Sequence, residues 1–507
     1  MLAQILGFMR TKLVNANFSA IGPHSTDSYF AAFTIPDFFF FTISAGALGV
    51  AFMPVLSDHM ARGDRKGMWK LVSSLLNLLA IIMSVVAVII FVFAEPIMKQ
   101  LVAPAQLHDA VVIMRFLCLN PLLFTISGIL TATQQTLGRF FFYATAPLLY
   151  NGSIIIAALV FSANDGGPGH LGIMGLGVGA LVGAILQLLL VIVGTLGTGF
   201  HWTPHIIWRS RDFRQVLRNL PPRAIDQGID QLESIVETRF ARGLGEGSIS
   251  YYNNAYTLQL APVLLIGTAI STAVFPRLNS RLSHGRPDLF RQDFLRYLRL
   301  IIWITLPVVV IGFFGRGYLA RLIFSRNSGD IANIFGFLAI AILFRTIYTL
   351  MSRWFYAQKD TRTPLYVSIF TITLNVVLAY LLTRPDGYGL PGLALAQSIV
   401  AAVEVTILSA IMLVRDPKLF NREFWNGIFR TISVTGFSLV AGYITVGFVP
   451  LGAEDRGFLT LGSKFLLIAS VTMATHFTIS GLFDLEEVRP FWRWVRRVTL
   501  RPVKVEY

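Results

Sequence analysis

Charge and cysteine are scarce in this chain of 507 residues: 14% of its side chains are charged, and its one cysteine, Cys118, lies inside an apolar run. A lone thiol excludes an internal disulfide and gives no support to a cysteine-based metal site. Catalytic signatures are missing too. There is no nucleotide-binding P-loop, no HExxH pair and no serine nucleophile in a recognisable setting. The chain is therefore read as not an enzyme. With 54% apolar residues and so little charge, it falls outside the soluble class, whose domains carry about 25% charged residues. Acids are the scarcer sign, 27 Asp and Glu against 42 Lys and Arg. No cleavable leader is expected, because MLAQILGFMR has no basic residue ahead of its apolar stretch and reads on into the first helix.

What is abundant is apolar sequence in runs of about 20 residues, the length that crosses a ~30 Å hydrocarbon core as a helix. These runs do not alternate apolar and polar as the strands of an outer-membrane barrel would. The fold expected is an all-α polytopic membrane protein with about fourteen transmembrane helices. Predicted segments include 1–20, 28–57, 111–137, 221–242 and 250–276. Lys and Arg concentrate in every second loop, for example Arg62, Arg65, Lys66 and Lys70, then Arg209, Arg211, Arg214 and Arg218, then Arg493, Arg496, Arg497 and Arg501. By the positive-inside rule both termini are cytoplasmic. The net charge of +15 then needs no nucleic acid, and anionic phospholipids are the expected counter-charge.

The chain also repeats itself. Residues 17–63 and 239–285 align without a gap, pairing Phe18 with Phe240, Ser28 with Ser250, Tyr29 with Tyr251, Pro54 with Pro276 and Gly63 with Gly285. Gln134 and Asn151 recur at the same spacing as Gln358 and Asn375. An even number of helices separates equivalent positions, so the prediction is two parallel six-helix repeats around a central cavity, plus two C-terminal helices. The expected division is an N-lobe at 1–199, a cytoplasmic linker at 200–220, a C-lobe at 221–414, helices 13 and 14 within 415–483, and a basic cytoplasmic tail at 484–507.

The least lipid-like span is the seventh. Asp226, Asp230, Glu233 and Glu237 recur at intervals that place four carboxylates on one helical stripe, widened by Gln227, Gln231, Ser234 and Thr238. Carboxylates are costly against lipid, so this face lines a wet cavity that binds protons, sodium or substrate, or else it meets cations. Arg10 and Lys12 on the equivalent first helix are the cations to consider, in a structural salt-bridge ladder. A cytoplasmic amphipathic helix is the other plain reading. Arg239 is taken as part of the same candidate site. Other ionisable groups in spans are Arg115, expected to snorkel, Arg345, His476, expected to be a packing residue, and Glu404, either a cavity contact or a structural pair. Gly175, Gly177, Gly179 and Gly183 are expected to allow close helix packing.

Several stretches resemble the MurJ (MviN) lipid II flippase family, within the multidrug/oligosaccharidyl-lipid/polysaccharide exporter superfamily. The segment from Trp354 to Pro364, WFYAQKDTRTP, resembles that family's loop between helices 10 and 11. Leu6-Gly7-Phe8 with Arg10, Thr26-Asp27 with Ala32-Phe33 and Pro36, and Phe275-Pro276-Arg277-Leu278 are similar to its other motifs. The resemblance covers essentially the whole chain, including the final helix pair. It implies two lobes around a cavity, with helices 13 and 14 forming a groove for a lipid tail. The implied cargo is undecaprenyl-diphosphate-linked peptidoglycan precursor (lipid II), moved by alternating access across the bacterial cytoplasmic (inner) membrane for cell-wall synthesis. It also implies that Arg10 contacts the diphosphate, that Asp27 is a functionally sensitive acid, and that Glu237 and Asn375 hold sodium. Sodium or the membrane potential would supply the coupling, and no other cofactor is implied.

The chain departs from the family pattern at several sites. Gln4, Phe40 and Phe41 stand where relatives carry basic residues, Ala45 where they carry an acid, about Thr257 where helix 8 carries arginine, and Ala379 where a second sodium-binding acid would be. Relatives also begin further upstream, so Met1 is expected to be a misassigned start. Two other functions fit the residues: an ion-coupled exporter of cationic small molecules or of another polyprenyl-linked glycan, for which an acidic cavity is natural, and a non-transporting scaffold. A monomer is expected.

Overall fold

The structure, a computed structural model, describes residues 2–45, 52–162, 171–324, 327–384, 386–489 and 491–492, but not the side chains at 2, 45, 219, 221–223, 225–227 and 230. The side chains of Asp226 and Asp230, and the tail arginines at 493, 496, 497 and 501, therefore lie outside the described residues.

Every regular element among the described residues is helical. Eleven stretches among the described residues are long and apolar enough to cross a membrane, which makes this a multi-pass membrane protein. Three predicted spans fall short of that standard for separate reasons. Helix α1 (Leu2–Asn17) has 16 residues, a rise of about 24 Å against a core of ~30 Å. Helix α2 (Thr26–Phe39) passes into a π-helical turn at Phe40–Ala45, beyond which residues 46–51 are not described. Helix α9 (Arg211–Arg242) is long, 32 residues, but polar.

The sequence repeat reappears in the element boundaries. Helices α4 (Arg65–Leu101) and α12 (Pro287–Ile323) both contain 37 residues and begin at paired positions. Helix α10 (Ser248–Pro262) is the counterpart of α2, and it too runs into a π-helical turn, Val263–Thr268. A π-turn carries one residue more per turn than the α-helix it interrupts, so it redirects the side chains that follow.

Two compact units divide the chain, Met1–Asn253 with Phe324–Arg326, and Asn254–Ile323 with Asn327–Tyr507. The division falls later than the 199–221 junction read from the sequence, and α9 already begins at Arg211, inside the stretch read as a linker. Ser210 starts that helix by accepting the Phe213 N–H on its hydroxyl, 3.4 Å away.

In the first unit α4 shows how the spans are sorted. Met83, Ala87, Ile90, Ala94 and Met98 follow helical spacing and are buried, whereas Val85, Val88 and Val92 on the opposite face are exposed and face lipid. Helix α7 (Phe140–Ser162) packs closely along α8 (Gly175–Thr195). A Cβ at Gly183 would come within 2.9 Å of the Tyr150 carbonyl, and one at Gly179 would collide with the Ala157 methyl. Small residues one turn apart thus let two backbones meet. The span predicted as continuous at 111–137 is broken into α5 (Leu107–Leu117) and α6 (Asn120–Thr136). Pro121 in the first turn of α6 explains the break, since proline suits a helix start and disrupts an interior.

In the second unit α12 is central. It packs on α11 (Ala269–Ser283), α13 (Ser328–Ala357), α16 (Arg422–Phe448) and α17 (Phe458–Leu482). Helix α15 (Leu390–Arg415) joins α13 to α14 (Arg362–Leu382). Phe290, Phe294, Trp354 and Phe355 form the aromatic centre of this core.

Candidate functional site

Helix α9 is continuous across the acidic stripe, and it packs on α2 and on the π-turn at Phe40–Ala45. Gly228 makes the approach close: a Cβ there would meet the Thr42 side chain at 3.0 Å. Glu233 and Glu237 are both buried, at 9% and 6% exposure. The Tyr252 hydroxyl donates to Glu237 Oε1 at 2.6 Å. A buried carboxylate held by a phenol suits binding of a monovalent cation or uptake of a proton. Among the described residues no group of three or more His, Cys, Asp or Glu converges as a metal site. Sodium would instead draw on oxygens of mixed origin, carboxylate with hydroxyl, amide or carbonyl.

Arg239 is exposed, Lys12 is exposed and Arg10 is half-buried. Helix α1 packs mainly on α7, and its polar residues are partly tied into its own backbone, Thr11 Oγ1 donating to the Gly7 carbonyl at 3.0 Å and Asn15 Nδ2 to the Thr11 carbonyl at 2.8 Å.

Asp27 is 2% exposed and makes three charge-assisted hydrogen bonds. Its Oδ2 accepts from the Gly247 N–H at 2.8 Å, and its Oδ1 accepts from the Ser250 N–H at 2.8 Å and the Ser250 hydroxyl at 2.6 Å. These N–H groups belong to the opening turn of α10, so Asp27 caps a helix far away in sequence. Thr26 Oγ1 and Ser250 Oγ lie 2.7 Å apart, and the Gly22 N–H donates to Glu246 at 3.1 Å. The starts of two repeat-related helices are clasped together. No local pattern announces such a pairing, although the repeat itself matched Ser28 with Ser250.

The second unit holds Asn375, 2% exposed on α14. Nearby in sequence, Ser368 donates to Glu404 Oε1 at 3.0 Å and lies 3.3 Å from the Tyr348 hydroxyl. Arg345 Nη1 is 3.7 Å from Glu404 Oε2. Glu404 thereby ties α13, α14 and α15 together, a structural pairing. His476 is fully buried, 3.2 Å from Ser438 Oγ and beside Trp303, a packing residue. Arg115 is exposed with its guanidinium 5.2 Å from the Phe91 ring.

The loop WFYAQKDTRTP has a clear local role. Lys359 adopts φ of 61°, and the Asp360 and Lys359 N–H groups return to the Phe355 and Tyr356 carbonyls, both at 3.0 Å, closing α13 in a Schellman motif. Asp360 then starts α14, accepting the Arg362 and Thr363 N–H groups at 3.0 Å and the Thr363 hydroxyl at 2.6 Å. Arg415, the last residue of α15, donates to Asp360 at 2.7 Å and to Thr363 Oγ1 at 2.7 Å. Burial pushes the Asp360 carboxyl upward, but the Thr363 and Arg415 hydrogen bonds outweigh it and hold the group down at about 2.

The family model described as lipid II flippase MurJ matches residues 21–453. A probable lipid II flippase MurJ from Borreliella burgdorferi is 23% identical over 506 residues, covering 98% of this chain and 97% of that protein. Among solved structures, a lipid II flippase MurJ in an inward closed conformation superposes with a TM-score of 0.76 at 21% identity, over 96% of this chain and 98% of that one. An inward-facing multidrug resistance MATE family transporter of the MOP superfamily reaches 0.71 at 16% identity, over 83% of this chain and 96% of that one. The structural likenesses are likenesses of fold.

Proposed function

Because the chain belongs to the lipid II flippase MurJ family, we propose that it is a transporter that moves an undecaprenyl-diphosphate-linked peptidoglycan precursor across the bacterial cytoplasmic membrane. The observation that carries this is the extent of the match. The family model spans residues 21–453, and a relative named as a probable flippase aligns with 98% of the chain. The MATE transporter, by contrast, covers 83%. Export of cationic small molecules is not favoured, since the acid stripe alone argues for it.

Alternating access of two parallel six-helix repeats is the mechanism that the duplicated boundaries support. In this reading α1, α2 and α9 complete fourteen spans, polar helices being tolerated where they line a wet cavity. Arg10 supplies a cation for the diphosphate. Asp226, Asp230, Glu233 and Arg239 belong to the cavity wall, and Glu237 and Asn375, one in each unit, each offer an oxygen suited to sodium. Asp27 acts through position, by holding α2 to the start of α10, rather than by touching cargo. Both termini are cytoplasmic by the positive-inside rule, the working unit is a monomer, and anionic phospholipids balance the basic loops.

Complementation tests the assignment. Expression in a bacterium depleted of its own lipid II flippase is expected to restore growth, and failure despite confirmed insertion would remove the proposal's main support.

A further inference from the structure

At one edge of the second unit, α12, the start of α16 and the short turn Glu486–Val488 enclose a cavity of about 760 Å³. Several arginines line it, but most are already neutralised. Arg291 forms a bidentate pair with Asp416, both contacts at 2.7 Å, and Arg277 pairs with Asp293 at 2.9 and 2.7 Å. Arg299 is ion-paired with Glu487 at 2.6 Å. Two lining groups of opposite sign are different. Arg296 and Glu423 are both exposed, and neither has an ion-pair partner among the described residues.

A second cavity adjoins the first and is wholly different in character. It holds about 360 Å³ and is lined almost entirely by apolar groups, among them Leu298, Ile302, Trp425 and Ile428. Phe424 borders both cavities. Along α12, Arg296 and Arg299 face the polar cavity while Leu298 and Ile302 face the apolar one. The polar cavity therefore sits at the end of the span, with the apolar cleft running from it into the span. Its surrounding loops are basic, which assigns this end to the cytoplasmic leaflet.

We propose that this composite pocket binds a phospholipid with a phosphoethanolamine headgroup, one acyl chain lying in the apolar cleft. The charge balance selects the headgroup. Asp288 is paired with Arg286, and Glu486 and Glu487 with Arg299, so among the described residues the lining is left with one free cation and one free acid. A ligand that is only anionic leaves Glu423 unmatched, whereas a zwitterion satisfies both. Its phosphate accepts from Arg296, and its primary ammonium donates to Glu423. A quaternary ammonium has no N–H to donate, so phosphatidylcholine loses the second contact. The chain contributes by burying methylenes against Phe424 and Trp425, at about 0.8 kcal/mol each. The site shares no lining residue with the acidic stripe of α9.

The full-length protein in detergent, titrated with dioleoyl phosphatidylethanolamine, phosphatidylglycerol or phosphatidylcholine and read by native mass spectrometry, tests the assignment. Phosphatidylethanolamine is expected to be retained most. Arg296→Gln and Glu423→Gln are each expected to weaken its retention about tenfold, the worth of one charged hydrogen bond. Trp425→Ala should weaken all three lipids, and its unfolding midpoint without lipid serves as the folding control. Equal retention of the three lipids overturns the proposal, as does a preference for phosphatidylglycerol. A chain ending at residue 492 that binds phosphatidylethanolamine much more tightly than the full-length protein would also overturn it, by showing that the tail is the occupant.

Discussion

Asp27 on α2 and Ser250 on α10 are joined by two hydrogen bonds to one carboxylate oxygen, from the Ser250 N–H at 2.8 Å and from its hydroxyl at 2.6 Å. With the Gly247 N–H on the other oxygen, a single buried acid satisfies the opening of a helix more than two hundred residues away. Replacement by asparagine leaves one acceptor oxygen and turns an NH2 group toward a backbone donor. Asp27→Asn is therefore expected to cost about 1.5–3 kcal/mol, the range for a hydrogen bond to a charged group. Thermal unfolding in detergent should show the loss, and an unchanged midpoint would contradict the capping role.

Asp360 predicts a pH dependence. Its carboxyl is held at about 2, below the ordinary value near 3.9 of an unfolded chain. A depressed native value means that the charged form stabilises the fold above about pH 4 and that this contribution is lost as pH falls toward 2. The parent should thus be more stable than Asp360→Asn at pH 7, with the gap narrowing progressively between about pH 4 and pH 2. Acid titration of both proteins, followed by circular dichroism, checks this; a gap that stays constant down to pH 2.5 would contradict it.

The π-turn at Val263–Thr268 predicts a steric limit. A Cβ at Gly267 would lie 2.8 Å from Thr349 Oγ1 and 3.1 Å from the Thr346 Cα, so part of the clash is with backbone that cannot rotate away. Gly267→Val is expected to destabilise the protein by about 1–3 kcal/mol through overpacking. Gly436, where an added Cβ meets nothing within 4 Å, serves as the control for alanine substitution. Equal midpoints for the Gly267→Val and Gly436→Ala proteins would argue against a close α13 contact.

For coupling, Glu237 is the residue to change. If it binds sodium, the parent should unfold at a higher temperature in sodium than in potassium, and Glu237→Gln should lose most of that difference. Asn375→Ala should reduce it as well. A parent indifferent to sodium removes the idea.

The sequence made the membrane-spanning helical character legible because it rests on run length, and the register that Pro54 and Gly63 share with their partners anticipated the paired starts of α4 and α12. Other features were beyond its reach. The break between α5 and α6 hangs on Pro121 inside an otherwise apolar run, and periodicity passes over one proline. The π-turns need an extra residue that no composition signals. Asp27 reads as an isolated acid until α10 folds beside it, and Asp360 reads as a motif residue until Arg415 arrives from the end of α15. The side chains of Asp226 and Asp230, half of the stripe on which the cavity reading rests, lie outside the described residues.

The most direct measurement of the central claim is translocation itself: purified protein in proteoliposomes, given fluorescently labelled lipid II, with labelled lipid on the outer surface reported by a membrane-impermeant quencher. The account predicts protein-dependent transfer of lipid II between leaflets, reduced in Arg10→Ala. Leaflet transfer no faster than in protein-free vesicles, from protein shown to be folded and inserted, would contradict it.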